Sequence, residues 1–119
     1  MNNAYILERT INNYAELKQA LEQAGFAYQK EETDEDVTVM ISTDRVDEFA
    51  AIVQPYLNAP YNYVDVKFPD DKTTVIIFPG RIYRINNPTI DAEAKIWAIS
   101  IGLPKKEAEW LIFYDQGNH

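Results

Sequence analysis

Residues 76–87, IIFPGRIYRINN, set Arg81, Tyr83 and Arg84 directly after Pro79 and Gly80, in a chain whose formal net charge is −8. A guanidinium beside an aromatic ring suits a ligand that carries a carboxylate or phosphate group. On a regular strand Arg81 and Tyr83 share one face and Arg84 points to the other. The two arginines therefore close on one anion only if the Pro79–Gly80 corner bulges into the strand. Each arginine is expected to meet water or an acid, with Asp91 and Glu93 as candidates, and the functional alternative makes Arg81 with Tyr83 the binding element. Upstream, YNYVDVKF places Tyr61, Tyr63 and Asp65 on one strand face, and these complete the candidate ligand site: Arg81, Tyr83, Tyr61, Tyr63 and Asp65.

Other chemistries have little to stand on. The sequence has no glycine-rich phosphate loop, no GxSxG elbow and no HExxH, and its only histidine is His119. Neither a Ser-His-Asp nor a Cys-His arrangement can be built from interior residues. With no cysteine, disulfides and thiolate metal sites are excluded. The acidic pairs Asp70 with Asp71 and Glu107 with Glu109 sit where turns and helix surfaces put them. No catalytic residue, metal ligand or cofactor is assigned, and a non-catalytic role is preferred to a carboxylate-dependent enzyme.

Charge bounds the partners. Residues 30–36, KEETDED, carry five acids against one base, a local net of −4, and have the composition of a solvated loop. They lack the alternation, the sixth-position glycine and the twelfth-position glutamate of an EF-hand. An isoelectric point near 4.5 disfavours direct nucleic-acid binding. It leaves open an acidic inhibitor that mimics nucleic acid and blocks a nucleic-acid enzyme. The apolar runs fall far below the roughly 20 residues of a membrane span, and MNNAYILERT does not read as a secretory signal, so a cytoplasmic protein is expected.

The elements that must position these residues follow from periodicity. Tyr14, Leu17, Leu21 and Ala24 recur at helical spacing between an Asn13/Glu16 capping pair and Gly25. FAYQKEE and DVTVMIS read as a hairpin around the acidic turn. A second helix carries Val46, Phe49, Val53 and Tyr56 or Leu57, capped by Thr43 or Asp44 and ended by Pro55. YNYVDVKF and KTTVIIF pair about Asp70 and Asp71, with Val64, Val66 and Phe68 joining Thr73, Val75 and Ile77 on one face. RIYRI is a further strand. Two helices are expected to close the chain, one over residues 88–101 stopped by Gly102 and one beginning near Pro104.

AYILERT fits either an edge strand or an extension of the first helix, and Asn12 with Asn13 favours the strand. The order is then β-α-β-β-α-β, which resembles the ferredoxin-like arrangement of two helices on one face of an antiparallel sheet. The expected architecture is a single α+β domain over residues 1–119: a ferredoxin-like core (1–68) and a hairpin with two C-terminal helices (69–119). In such a two-layer fold the second sheet face is polar, covered by added elements, or in contact with a partner. That face is not polar here, and the C-terminal segments are rich in large apolar residues. A homo-oligomer is therefore expected, with Phe78, Trp97 and Trp110 as candidate contact residues, although packing in the core is the preferred reading for each tryptophan taken singly. The function expected is a small interaction or regulatory module that binds a partner protein or a small anionic ligand.

Overall fold

The alternating residues of VDVKF and TTVIIF form two antiparallel strands with the register that alternation implies: Val64 opposite Ile77, Val66 opposite Val75, and Phe68 opposite Thr73. A computed structural model describes residues 2–30 and 36–115 of the chain. The strands are β1 (Asn2–Leu7), β2 (Tyr28–Lys30), β3 (Asp36–Ile41), β4 (Val64–Phe68), β5 (Thr73–Phe78) and β6 (Arg81–Ile85). The helices are α1 (Tyr14–Gln23), α2 (Val46–Val53) and α3 (Pro88–Ser100). All strand pairs are antiparallel, in one six-stranded sheet of order β2-β3-β1-β4-β5-β6. The protein is α+β, and AYIL is strand rather than helix. The acidic stretch at residues 31–35 and the terminal His119 lie outside the described residues.

Helix boundaries follow local chemistry. Asn13 adopts a left-handed conformation, its Oδ1 accepts the Glu16 amide, and its Nδ2 donates to the Glu16 carboxylate at 2.6 Å, a reciprocal cap. Gly25, at φ 83°, lets the chain turn away after α1. Entry to α2 departs from expectation, because the N-cap position falls at Arg45 rather than at Thr43 or Asp44. The chain first makes a 3-10 turn over Thr43–Arg45, and Arg45 precedes the helix with no side-chain cap. Pro55 ends α2 as expected, within a second 3-10 turn.

One sheet face carries Ala4, Ile6, Val37, Val39, Val64, Val66 and Val75. It packs against Leu17 and Leu21 of α1 and Val46, Phe49, Ala50 and Val53 of α2, forming the main core. The other face is covered over only part of its width. Ile76, Phe78 and Ile85 form a second core with Ala94 and Ala98 of α3 and with Leu103, Ala108 and Trp110 beyond it. Helices thus flank both faces of the β4–β6 half, in place of the two-layer arrangement expected.

The second C-terminal helix does not form. After Gly102, at φ 111°, the chain makes one 3-10 turn at Lys105–Glu107 and then runs as an irregular strap to Asp115. The physical reason is amphipathicity. WLIFY wound as a helix would point large apolar side chains in every direction, whereas in the strap Ala108, Trp110, Ile112 and Tyr114 all pack toward the sheet. No helix among the described residues is long and apolar enough to cross a membrane.

Candidate functional site

A buried carboxylate anchors the strap. Asp91, in the first turn of α3 and only 5% exposed, accepts from Trp110 Nε1 at 2.9 Å, from the Tyr114 hydroxyl at 2.7 Å and from Lys95 Nζ at 3.4 Å. Charge-assisted hydrogen bonds of this kind compensate the burial of the carboxylate. Thr74 Oγ1 donates to the Leu111 carbonyl at 2.7 Å, and Tyr63 donates to the Glu107 carbonyl at 3.2 Å. Side chains from α3, from β5 and from the segment before β4 therefore hold the strap along its length.

Burial and the hydrogen bond to Asp91 push the Tyr114 hydroxyl up to about 12 from its ordinary 10.0. Tyr63 is raised as well, by burial first and then by the charges of Asp65 and Glu107. A raised tyrosine contributes stability that is complete below the unfolded value and is lost as pH climbs through the folded one. Stability is thus expected to hold up to about pH 10 and to fall between 10 and 12, with a shallower fall in Tyr114→Phe. Urea midpoints measured across that range check this, and an equally steep fall in the variant would count against the Asp91–Tyr114 contact.

The strap forms one side of an open groove of about 650 Å³. The sheet contributes Tyr5, Leu7 and Asp65, the segment before β4 contributes Asn58, Tyr61, Asn62 and Tyr63, and the strap contributes Leu103, Lys106, Glu107 and Glu109. Arg9 and Thr10 complete the lining. The backbone holds these parts in place: Asn58 N donates to Thr10 O, Asn12 N donates to Tyr56 O, and Ile11 bridges to Leu57. Asn58 Nδ2 reaches the Arg9 carbonyl at 2.9 Å, and Asn62 donates in turn to Asn58 Oδ1. Lys67, which does not itself line the groove, pairs with Asp65 at 3.3 Å and lies 4.2 Å from the centre of the Tyr5 ring. Among the described residues no cluster of three or more acidic, histidine or cysteine side chains is placed to hold a metal ion.

The structure divides the residues expected to form one ligand site. Tyr61, Tyr63 and Asp65 line the groove, but Arg81 and Tyr83 do not. Phe78 stands between the two groups, 5.7 Å from the Tyr63 ring and 6.3 Å from the Tyr83 ring. Arg81 and Tyr83 share the second sheet face and Arg84 takes the first, as alternation requires, and Phe78 pairs directly with Arg81 across a turn without a bulge. The expected partners of the arginines are corrected. Arg84 bonds Asp47 of α2 at 2.6 Å, because its face is the one α2 covers. Arg81 lies 4.8 Å from the Trp97 ring and 5.4 Å from the Tyr83 ring. Asp91 is occupied by the strap.

The contact residues read from the sequence also change place. Phe78 is fully buried and Trp110 is 7% exposed, both inside the chain's own second core, because the strap covers the face they were expected to leave open. Trp97 is half-buried at the margin of that core. Reasoning from sequence missed Arg9, Asn58 and Lys106, which only the folded loops bring together, and Tyr5, which was visible as an outward residue of β1. No protein-family model, curated protein or solved structure matches the chain.

Proposed function

We propose that the protein is a small, non-catalytic interaction module of the cytoplasm and that the groove binds an extended segment of a partner protein. The observation that carries this is the lining itself, in which three tyrosines stand with both signs of charge in a concavity already organised by backbone hydrogen bonds. Tyrosine is enriched at protein interfaces, and a preformed groove avoids part of the ordering cost of binding. A partner segment is favoured over a small anion, since Asp65, Glu107 and Glu109 outnumber Arg9 and Lys106 in the lining.

We read the first four strands with α1 and α2 as a ferredoxin-like core, and the β5–β6 hairpin, α3 and strap as an extension of the same domain. In that reading the extension builds the wall that turns an open sheet face into a groove. Acidic mimicry of nucleic acid is less well supported, because Asp47 and Glu48 on α2 are paired with Arg84 and Arg45 rather than arrayed for a basic surface.

Selection of a random peptide display library against the protein tests the reading. A selected peptide is expected to lose at least about tenfold in affinity for Tyr5→Ala/Tyr61→Ala, since two aromatic contacts are removed, and to bind Arg81→Ala within about twofold of wild type. Unchanged binding by the tyrosine variant, with loss in Arg81→Ala, would place the site at β6 and overturn the proposal. Circular dichroism of each variant confirms that the fold persists.

A further inference from the structure

The outward face of α3 leaves two large apolar side chains uncovered, Ile96 being the most exposed large apolar residue among those described. Asp91, Ala94 and Ala98 point into the second core, and on the opposite side Ile96 is 69% exposed and Ile99 44% exposed. Ala92 and Ser100, four residues to either side of Ile96, are small and exposed, which leaves hollows beside it for side chains of a facing helix. None of these residues lines the groove.

Charge identifies the occupant. Of the charged residues of α3, Asp91 is buried, which leaves one acid, Glu93, and one base, Lys95, on the rest of the helix, a net of zero in a chain of net −8. This is where two copies of an acidic protein can approach without strong repulsion. Glu93 is exposed on one flank of the apolar stripe. On that same flank, one turn further along, Trp97 supports the Arg81 guanidinium at 4.8 Å, and among the described residues Arg81 has no carboxylate partner. When two helices pack antiparallel about a two-fold axis, equivalent flanks face each other and the early turns of one meet the later turns of the other.

We propose that two copies of this chain associate through α3, antiparallel about such an axis, with Ile96 and Ile99 at the centre. Glu93 of each copy then faces the partner's Arg81, and the pair forms twice. The apolar centre supplies the affinity, and the charge pairs fix the orientation, because in a parallel two-fold arrangement opposite flanks meet and Glu93 no longer faces the partner's Arg81.

Sedimentation velocity of the full chain over a concentration series tests this. Wild type is expected to pass from monomer to dimer in the micromolar range. Ile96→Asp, at a position too exposed to unfold the protein, is expected to remain monomeric. Glu93→Arg and Arg81→Glu should each raise the dissociation constant at least about tenfold, and the double variant should return it to within about threefold of wild type. Rescue by the double reversal would also separate a charge pair from a general effect of net charge. A wild type that stays monomeric throughout, a dimer indifferent to Ile96→Asp, or a failure of the double reversal to restore association would each overturn the proposal.

Discussion

Phe78→Ala is expected to lower stability by about 3–5 kcal/mol, the usual cost of removing a fully buried aromatic ring together with the cavity left behind. Phe78 has no exposed surface, and its ring joins those of Tyr63 and Tyr83 in the second core. Those neighbours are held by the backbones of β6 and of the segment leading into β4 and cannot collapse fully into the space. A domain of this size has about 5–15 kcal/mol of stability in all, so the variant should unfold at much lower urea. A residue at a surface contact would behave differently, with association lost and the urea midpoint unchanged. Denaturation at low protein concentration separates the two outcomes.

Asp91→Ala should cost about 2–3 kcal/mol by a different route, since it leaves donors without an acceptor rather than opening a large cavity. The indole Nε1 of Trp110 and the Tyr114 hydroxyl both depend on this carboxylate. Removing the carboxylate also removes its desolvation cost, which keeps the loss below the sum of its hydrogen bonds. Asp91→Asn should cost less, because the amide oxygen can still accept from Trp110 and the Tyr114 hydroxyl can turn to accept from the amide nitrogen. Neutralising the exposed neighbour in Glu93→Gln should change stability by no more than about 0.5 kcal/mol. Trp110 fluorescence reports the same event locally, and its emission should shift to the red in Asp91→Ala as the indole meets water. An unshifted spectrum with full stability would mean that Asp91 does not hold the strap.

Much of this fold could be read from the sequence wherever one periodicity dominated. Val64, Val66 and Phe68 against Thr73, Val75 and Ile77 fixed the β4–β5 register, because a slip of one residue would turn every apolar side chain to the wrong face. Asn13 and Gly25 marked the ends of α1 because each occupies a left-handed conformation that few residues tolerate. The strap was misread because five large residues in a row, WLIFY, suit a buried helix as well as an extended segment. The signal that separates them is the alternation of Ala108, Trp110, Ile112 and Tyr114 on the packed side with Glu109, Leu111, Phe113 and Asp115 between them.

The site was legible only in part, for a related reason. Alternation groups Tyr61, Tyr63 and Asp65 on one side, and all three line the groove, although β4 begins only at Val64 and the two tyrosines precede it. Their companions Arg9, Asn58 and Lys106 come from three separate connections, whose meeting depends on backbone hydrogen bonds such as Asn58 N to Thr10 O. The link between Asp91 and Trp110 spans 19 residues, and no local pattern signals it. An aspartate in the first turn of a helix reads as an ordinary complement to the helix dipole.

Both the groove and the second core depend on residues 103–115 lying across the sheet, and a nuclear Overhauser spectrum of the free protein tests that placement most directly. Cross-peaks are expected between the Trp110 indole and the Tyr63 ring, whose centres lie 5.7 Å apart, with no run of sequential amide contacts through residues 108–114. A continuous helical series of amide contacts there, with Trp110 and Tyr63 showing none to each other, would contradict it.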